Sequence, residues 1–297
     1  MPVDGGIVGD ATKRRKAILS KCPYCIFCGG NVPATTIEHC PPRSFFQNKQ
    51  WPEGFEFPSC EDCNHGTSDD DLLVAMLGRL DPFTERGDLD GRHNGLMRAV
   101  SNQFPDLFTK LIPLTARDAR NRNRKLGLSP APGQTHLDVP VISVPVELHV
   151  AVCTFGRKLA KAIYYLGSSE IFPANGCLIL SWFSNEEIVK LGKYQMLDIM
   201  KGIGGVVPIL VRSGKLLNDQ FSFKISMSDD KDLFALQVLL GKSFGFVVFG
   251  SVKPGVIEDS YQRLRQERGD GPFAIVASSI LPVQPDFGFA EYQSRSC

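Results

Sequence analysis

The chain has 297 residues, of which 43% are hydrophobic and 22% charged, the make-up of a folded soluble protein with room for one large domain or two smaller ones. A formal net charge of +1 excludes recognition of a polyanion by bulk charge, so any nucleic-acid contact has to come from a local basic patch. Nine cysteines, an odd number, behind a start (Met1 to Asp10) without the basic-then-apolar order of a secretory signal, argue against a disulfide framework. They point to a reducing, cytoplasmic setting, and no apolar run reaches the length of a membrane span.

Residues 1–20 read as a flexible leader. Gly5, Gly6 and Gly9 precede Lys13-Arg14-Arg15-Lys16, either a solvated tail or an arm that contacts phosphate. Residues 21–82 are rich in Cys, Pro, Gly and Phe, as in a small module that uses a metal where a hydrophobic core would be too small. Within it, Trp51, Phe55 and Phe57 are expected to pack beneath the metal site. Ser68 followed by Asp69, Asp70 and Asp71 predicts a capped helix from Asp69 to Leu80, its acidic residues favoured by the helix N-terminus.

Residues 83–145 read as a helical and Pro-rich connector. Helices over 94–126 are broken at Pro105 and Pro113, and Arg117, Arg120, Arg122, Arg124 and Lys125 form a basic stretch that is either a solvated face or a DNA-contacting patch. From 146 to 297 the texture is that of a larger α+β domain with a mostly antiparallel sheet. Strands are predicted at Val146–Thr154, Cys177–Phe183, Val206–Val211, Phe221–Met227, Phe244–Phe249 and Phe273–Ala277, and helices at Phe155–Leu166 and Glu186–Met200. His93, His136 and His149 are assigned structural roles.

The chemistry sits in two short knuckles, Cys25-Ile-Phe-Cys28-Gly-Gly and Cys60-Glu-Asp-Cys63-Asn. Two residues between cysteines let both thiolates of one turn face the same cation. A pair of such knuckles makes a closed four-thiolate shell that suits structural Zn²⁺. Cys22 overlaps the first knuckle, but Gly29 and Gly30 directly follow Cys28, so Cys25 and Cys28 are the ligands and Cys22 a bystander. A dithiol redox role for Cys22-Pro-Tyr-Cys25 lacks the strand-to-helix context such motifs need.

Between Cys28 and Cys60 lie 31 residues, more than a simple ribbon carries, and they include Thr36-Ile-Glu38-His39-Cys-Pro-Pro42. Cys25-x-x-Cys28, Glu38-His39 with Pro42, and Cys60-x-x-Cys63-Asn64 together resemble the HNH endonucleases, the ββα-metal nucleases, in their four-cysteine form with Glu-His at the active site. The resemblance covers roughly residues 22–75 and implies a small zinc-stabilised ββα-metal module. It also implies metal-dependent hydrolysis of DNA phosphodiesters, with His39 as general base, Glu38 and Asn64 holding a catalytic Mg²⁺ or Mn²⁺, and His65 as the alternative to Asn64. The alternative class is a module that keeps this fold without catalysis and binds nucleic acid or a protein partner.

Overall fold

The computed structural model describes residues 11–79, 91–111, 115–125, 129–130, 132–137, 145–184, 202–241, 243–268 and 274–277. The first described element is α1 (Ala11–Lys21). Residues 11–20, expected as part of a loose tail, are therefore helical. The helix is exposed, but Arg14 reaches Glu56 at 2.9 Å and Arg15 donates to the Thr35 carbonyl, so its basic side is tied to the module that follows.

That module is a two-stranded antiparallel sheet with a helix packed at its end. Strand β1 (Thr36–His39) pairs β2 (Glu56–Ser59) in the register Thr36↔Ser59, Ile37↔Pro58, Glu38↔Phe57 and His39↔Glu56. The short helix α2 (Glu61–His65) starts at Cys60, and α3 (Ser68–Arg79) follows where the acidic cluster predicted a helix. Arg79 donates to the Ser44 and Phe46 carbonyls and so clamps the 3₁₀ turn Arg43–Phe45 against α3. Trp51, Phe55 and Phe57 are buried, as expected.

Helices α4 (His93–Gln103), α5 (Leu107–Leu111) and α6 (Ala116–Lys125) carry the connector. Pro105 falls between the first two, as predicted. The basic stretch from Arg117 to Lys125 lies on α6, inside the span predicted as helical.

The largest departure from expectation is α7 (Val146–Ser168), one helix of 23 residues where the sequence predicted a strand at Val146–Thr154 and a helix only after it. The reason is burial on all sides. From Ala151 to Tyr164 every residue of α7 is buried, so the helix shows no polar face and the run Val-Ala-Val-Cys reads as a buried strand. One side of α7 lies on the sheet of the C-terminal half. Gly156 makes that approach possible, since a Cβ there would stand 2.4 Å from Leu180 Cδ1. Its other side enters the cysteine-rich module.

The sheet has five antiparallel strands in the order β6-β7-β8-β3-β9, made of β3 (Cys177–Ser184), β6 (Phe221–Met227), β7 (Leu233–Leu240), β8 (Phe244–Ser251) and β9 (Ala274–Ala277). The α+β class with a mostly antiparallel sheet is thus observed. Strand β7 was not predicted, because its near-continuous apolar run has no alternation to distinguish strand from helix. Val206–Val211, predicted as one strand, supplies a single bridge from Val206 to Ile225, then enters a two-residue ribbon, β4 (Val211–Arg212) with β5 (Lys215–Leu216). Helix α8 (Val256–Arg268) closes the described C-terminal part. The predicted helix Glu186–Met200 and the loop after Pro82 lie outside the described residues. Among those described, no helix is long and apolar enough to cross a membrane.

One core runs through module and sheet alike: the Phe46 ring lies 6.3 Å from that of Phe221, and Phe55 lies 5.4 Å from Phe221 and 6.1 Å from Phe223.

His149 on α7 has the structural role assigned to it. Trp182 Nε1 donates to its Nδ1 at 2.9 Å, and since indole nitrogen can only donate, the imidazole proton sits on Nε2, facing Cys153 Sγ at 3.4 Å. Burial pulls the His149 pKa down from 6.5 to about 4. The unfolded chain therefore takes up this proton first as pH falls, and the stability present above pH 6.5 is lost on the way to about 4. Urea titrations at pH 7 and pH 4 are expected to show wild type losing on the order of 2 kcal/mol more than His149→Gln over that interval.

Candidate functional site

The first knuckle is a tight backbone turn. Cys25 N donates to the Val32 carbonyl and Gly30 N to the Cys25 carbonyl, while Gly29 and Gly30 take φ of 78° and 79°. Gly29 has a second reason to be glycine, because a Cβ there would lie 2.3 Å from Ala174 N. The second knuckle uses the start of α2, so Cys60 stands at its N-terminus and Cys63 within its first turn.

The sulfurs of Cys25, Cys28, Cys60 and Cys63 all lie within 4.8 Å of one another. A four-thiolate zinc shell with Zn–S of about 2.3 Å needs sulfurs about 3.8 Å apart, so the tetrad fits the ion. The thiols are electrostatically ill-matched without a cation. The Cys63 thiol, donating to Cys25, pulls the latter down to about 4, and that same bond raises Cys63. Burial, with the Cys25 charge, raises Cys28. A divalent ion at the centre lets all four ionise together. Cys22 stays outside the tetrad with its thiol on the Tyr24 carbonyl. Among the described residues no other group of three or more His, Cys, Asp or Glu comes close enough to hold a metal.

Strand alternation divides the Glu38-His39 pair between two environments. Glu38 faces inward and is 4% exposed. Its Oε1 meets Lys158 Nζ of α7 at 2.8 Å, and the same ammonium meets Asp71 Oδ2 at 3.0 Å and Thr67 Oγ1 at 2.6 Å. Those contacts use all three donors of the lysine. Burial outweighs the attraction of Lys158 and pushes Glu38 up to about 7; burial also raises Asp71. Glu38 Oε2 is buried without a hydrogen-bond partner. Asp71, explained from sequence by helix electrostatics alone, thus has a partner in α7 as well.

Asn64 lies on the strand side of α2, where its Nδ2 donates to Thr36 Oγ1 at 2.9 Å and sits 3.4 Å from the Ile37 carbonyl. His65 is exposed, and its carbonyl accepts from Ser68 Oγ at 2.6 Å. Glu38 Oε1 thus faces Lys158, and the Asn64 amide nitrogen faces β1.

His39 points the other way, into a cluster that the sequence did not reveal. Its side chain is 22% exposed, its Nε2 lies buried 3.2 Å from Glu56 Oε1 without in-line hydrogen-bond geometry, and its ring meets Trp51 edge-on at 4.6 Å. Three guanidinium groups surround the same indole: Arg212 at 4.2 Å, Arg43 at 5.3 Å and Arg14 at 6.0 Å. Burial would raise the Glu56 carboxyl, but His39 with Arg14 and Arg212 outweighs it and holds the group below its ordinary value. Trp51 Nε1 is buried with no hydrogen-bond partner. Three cations against one carboxylate make a local positive centre on a chain of near-zero net charge. Glu56 was findable from pairing, since it is the cross-strand neighbour of His39. Arg212 comes from a ribbon 173 positions away and left no trace near the motif.

No family model, curated protein or solved structure matches the chain.

Two outcomes test this description. Purified protein is expected to carry about one zinc per tetrad by elemental analysis, and Cys60→Ser to lose it together with the melting transition of the module. Lys158→Ala leaves two buried carboxylates facing each other and is expected to cost about 3–5 kcal/mol by urea unfolding, whereas the triple variant Lys158→Met, Glu38→Gln, Asp71→Asn recovers most of that loss.

Proposed function

We propose that this protein is an HNH-type nuclease acting on DNA, with the His39 face of the zinc module as its phosphodiester site. The observation that carries the reading is the convergence of one imidazole and three arginines on Trp51, with the Glu56 carboxylate beside His39 and Arg14. Guanidinium groups are suited to hold a phosphate and to offset the charge that builds on it during hydrolysis. Glu56 Oε1 stands 3.2 Å from Nε2, and once the two come into line the carboxylate favours the tautomer with its proton there, leaving Nδ1 to take a proton from the attacking water.

The HNH reading includes a catalytic Mg²⁺ or Mn²⁺. Of the residues expected to hold it, Glu38 has Oε1 on the Lys158 ammonium, whose charge opposes a second cation there, and only Oε2 without a partner, while Asn64 is tied to β1 through its amide nitrogen, an atom that does not ligate Mg²⁺ or Mn²⁺. The buried ammonium beside Glu38 favours the second reading, a zinc-stabilised module that binds DNA at the same face without hydrolysing it.

A supercoiled-plasmid assay with Mg²⁺, Mn²⁺ or no added divalent ion separates the two. The nuclease reading predicts metal-dependent nicking that His39→Ala lowers at least about 100-fold while zinc content and melting temperature stay unchanged. No nicking with any ion, alongside retained DNA binding, establishes the binding module instead.

A further inference from the structure

The structure assigns the β4–β5 ribbon, an element of the C-terminal half, to the groove of a B-form DNA duplex whose phosphate lies at the His39 face. The inference deepens the proposed DNA site and rests on DNA being the ligand there, though not on its hydrolysis.

The ribbon is built to be rigid. Ser213 and Gly214 have φ of 49° and 77°, the two positive values of a type I′ turn, the tight connection whose twist matches a two-stranded ribbon. Leu210 and Leu217 anchor its base in the core, and Asn218 ties it further, accepting from Leu210 N and donating to the Pro208 carbonyl. Two hydrogen bonds fasten it to the module beside the site: Glu53 N donates to the Val211 carbonyl, and Ser213 N donates to Glu53 Oε1. Arg212 thereby reaches Trp51.

Its two faces differ in chemistry. Arg212 and Lys215 are direct cross-strand neighbours, so two cations share one face, where Arg212 leans on Trp51 near Glu56 and Lys215 is exposed. From Gly202 to Leu217 the chain carries these two cations and no acidic residue. Leu216, on the ribbon's other face, is 66% exposed, and the segment leading into the ribbon leaves Ile209 71%, Val206 63% and Val207 59% exposed. A loop in water gains nothing by holding four large apolar side chains outward on a rigid support. A DNA groove meets both demands, since a two-stranded ribbon fits the major groove, with phosphates along the walls and thymine methyl and sugar surfaces for apolar contact. The partner's charge is fixed by the neighbours, because Arg14 and Arg43 extend the cationic face of Arg212 across Trp51.

The test is binding of the full chain to a short labelled DNA duplex without added divalent ion, followed across a salt series, with plasmid nicking measured in parallel. Arg212→Ala with Lys215→Ala is expected to lower the slope of log affinity against log salt by about 2, one per phosphate contact. Arg212→Lys with Lys215 kept is expected to restore the slope, separating lost charge from a disturbed Trp51. Ile209→Ser with Leu216→Ser, both on exposed positions, is expected to weaken binding several-fold at unchanged slope and unchanged melting temperature. Wild-type binding by all these variants overturns the inference while leaving the nuclease reading intact. Equal affinity for a duplex RNA of the same sequence overturns the groove assignment, because the A-form major groove is too deep and narrow for a ribbon. Loss of binding in the ribbon variants of a protein that never nicks DNA sustains the inference and sinks the nuclease reading.

Discussion

The contact on which the rest of the structure depends is the Lys158 ammonium held between Glu38 and Asp71. Its side chain is 1% exposed, and charges this far from water are costly to desolvate. The geometry offsets that cost only because Glu38, Asp71 and Thr67 use every donor of the lysine at once. Each partner comes from a different part of the module, β1, α3 and the residue before it, so the interaction fixes the strand against the helix and both against α7. Three positions on, Lys161 Nζ donates to the Phe27 carbonyl at 2.7 Å, inside the first cysteine knuckle. One buried helix thus grips the cysteine-rich module at two points while its opposite side lies on the sheet.

Fixing Glu38 inward has a consequence for His39. Neighbours on a strand point to opposite faces, so the inward pull on one carboxylate presents the next imidazole outward. There it meets Glu56 across the ladder and Trp51 at its edge, and arginines from α1, the 3₁₀ turn and the β4–β5 ribbon converge on the same indole. A module with little surface to bury is held by its cysteine knuckles and oriented by α7. The open face left over collects charge from both halves of the chain. The functional reading therefore belongs to the whole molecule rather than to the motif segment alone.

How much of this the sequence disclosed follows from which interactions are local. The cysteine tetrad was legible because ligand spacing is a local constraint. Strands β3, β6 and β8 were legible from β-branched and aromatic runs bounded by turn residues, and α3 from its capped acidic start. Val146–Thr154 was misread because a helix buried on every side has no periodicity to show, and β7 was missed for the matching reason in a strand. Residues 11–20 looked like a tail because α1 buries nothing; its helix is exposed and is tied down through Arg14 and Arg15. The pairing of Lys158 with Glu38 and the arrival of Arg212 at Trp51 link residues more than 100 positions apart, and no local pattern encodes them.

The central claim is that DNA meets the protein at the His39 face, on the arginines that surround the buried indole of Trp51. The chain has two tryptophans, and the other, Trp182, belongs to β3 with its N–H on His149. Titrating a short duplex into ¹⁵N-labelled protein and following the two indole N–H signals tests the claim within a single sample. The account predicts that the Trp51 signal shifts with DNA concentration while that of Trp182 stays in place. A bound duplex that moves only Trp182, or neither signal, contradicts it.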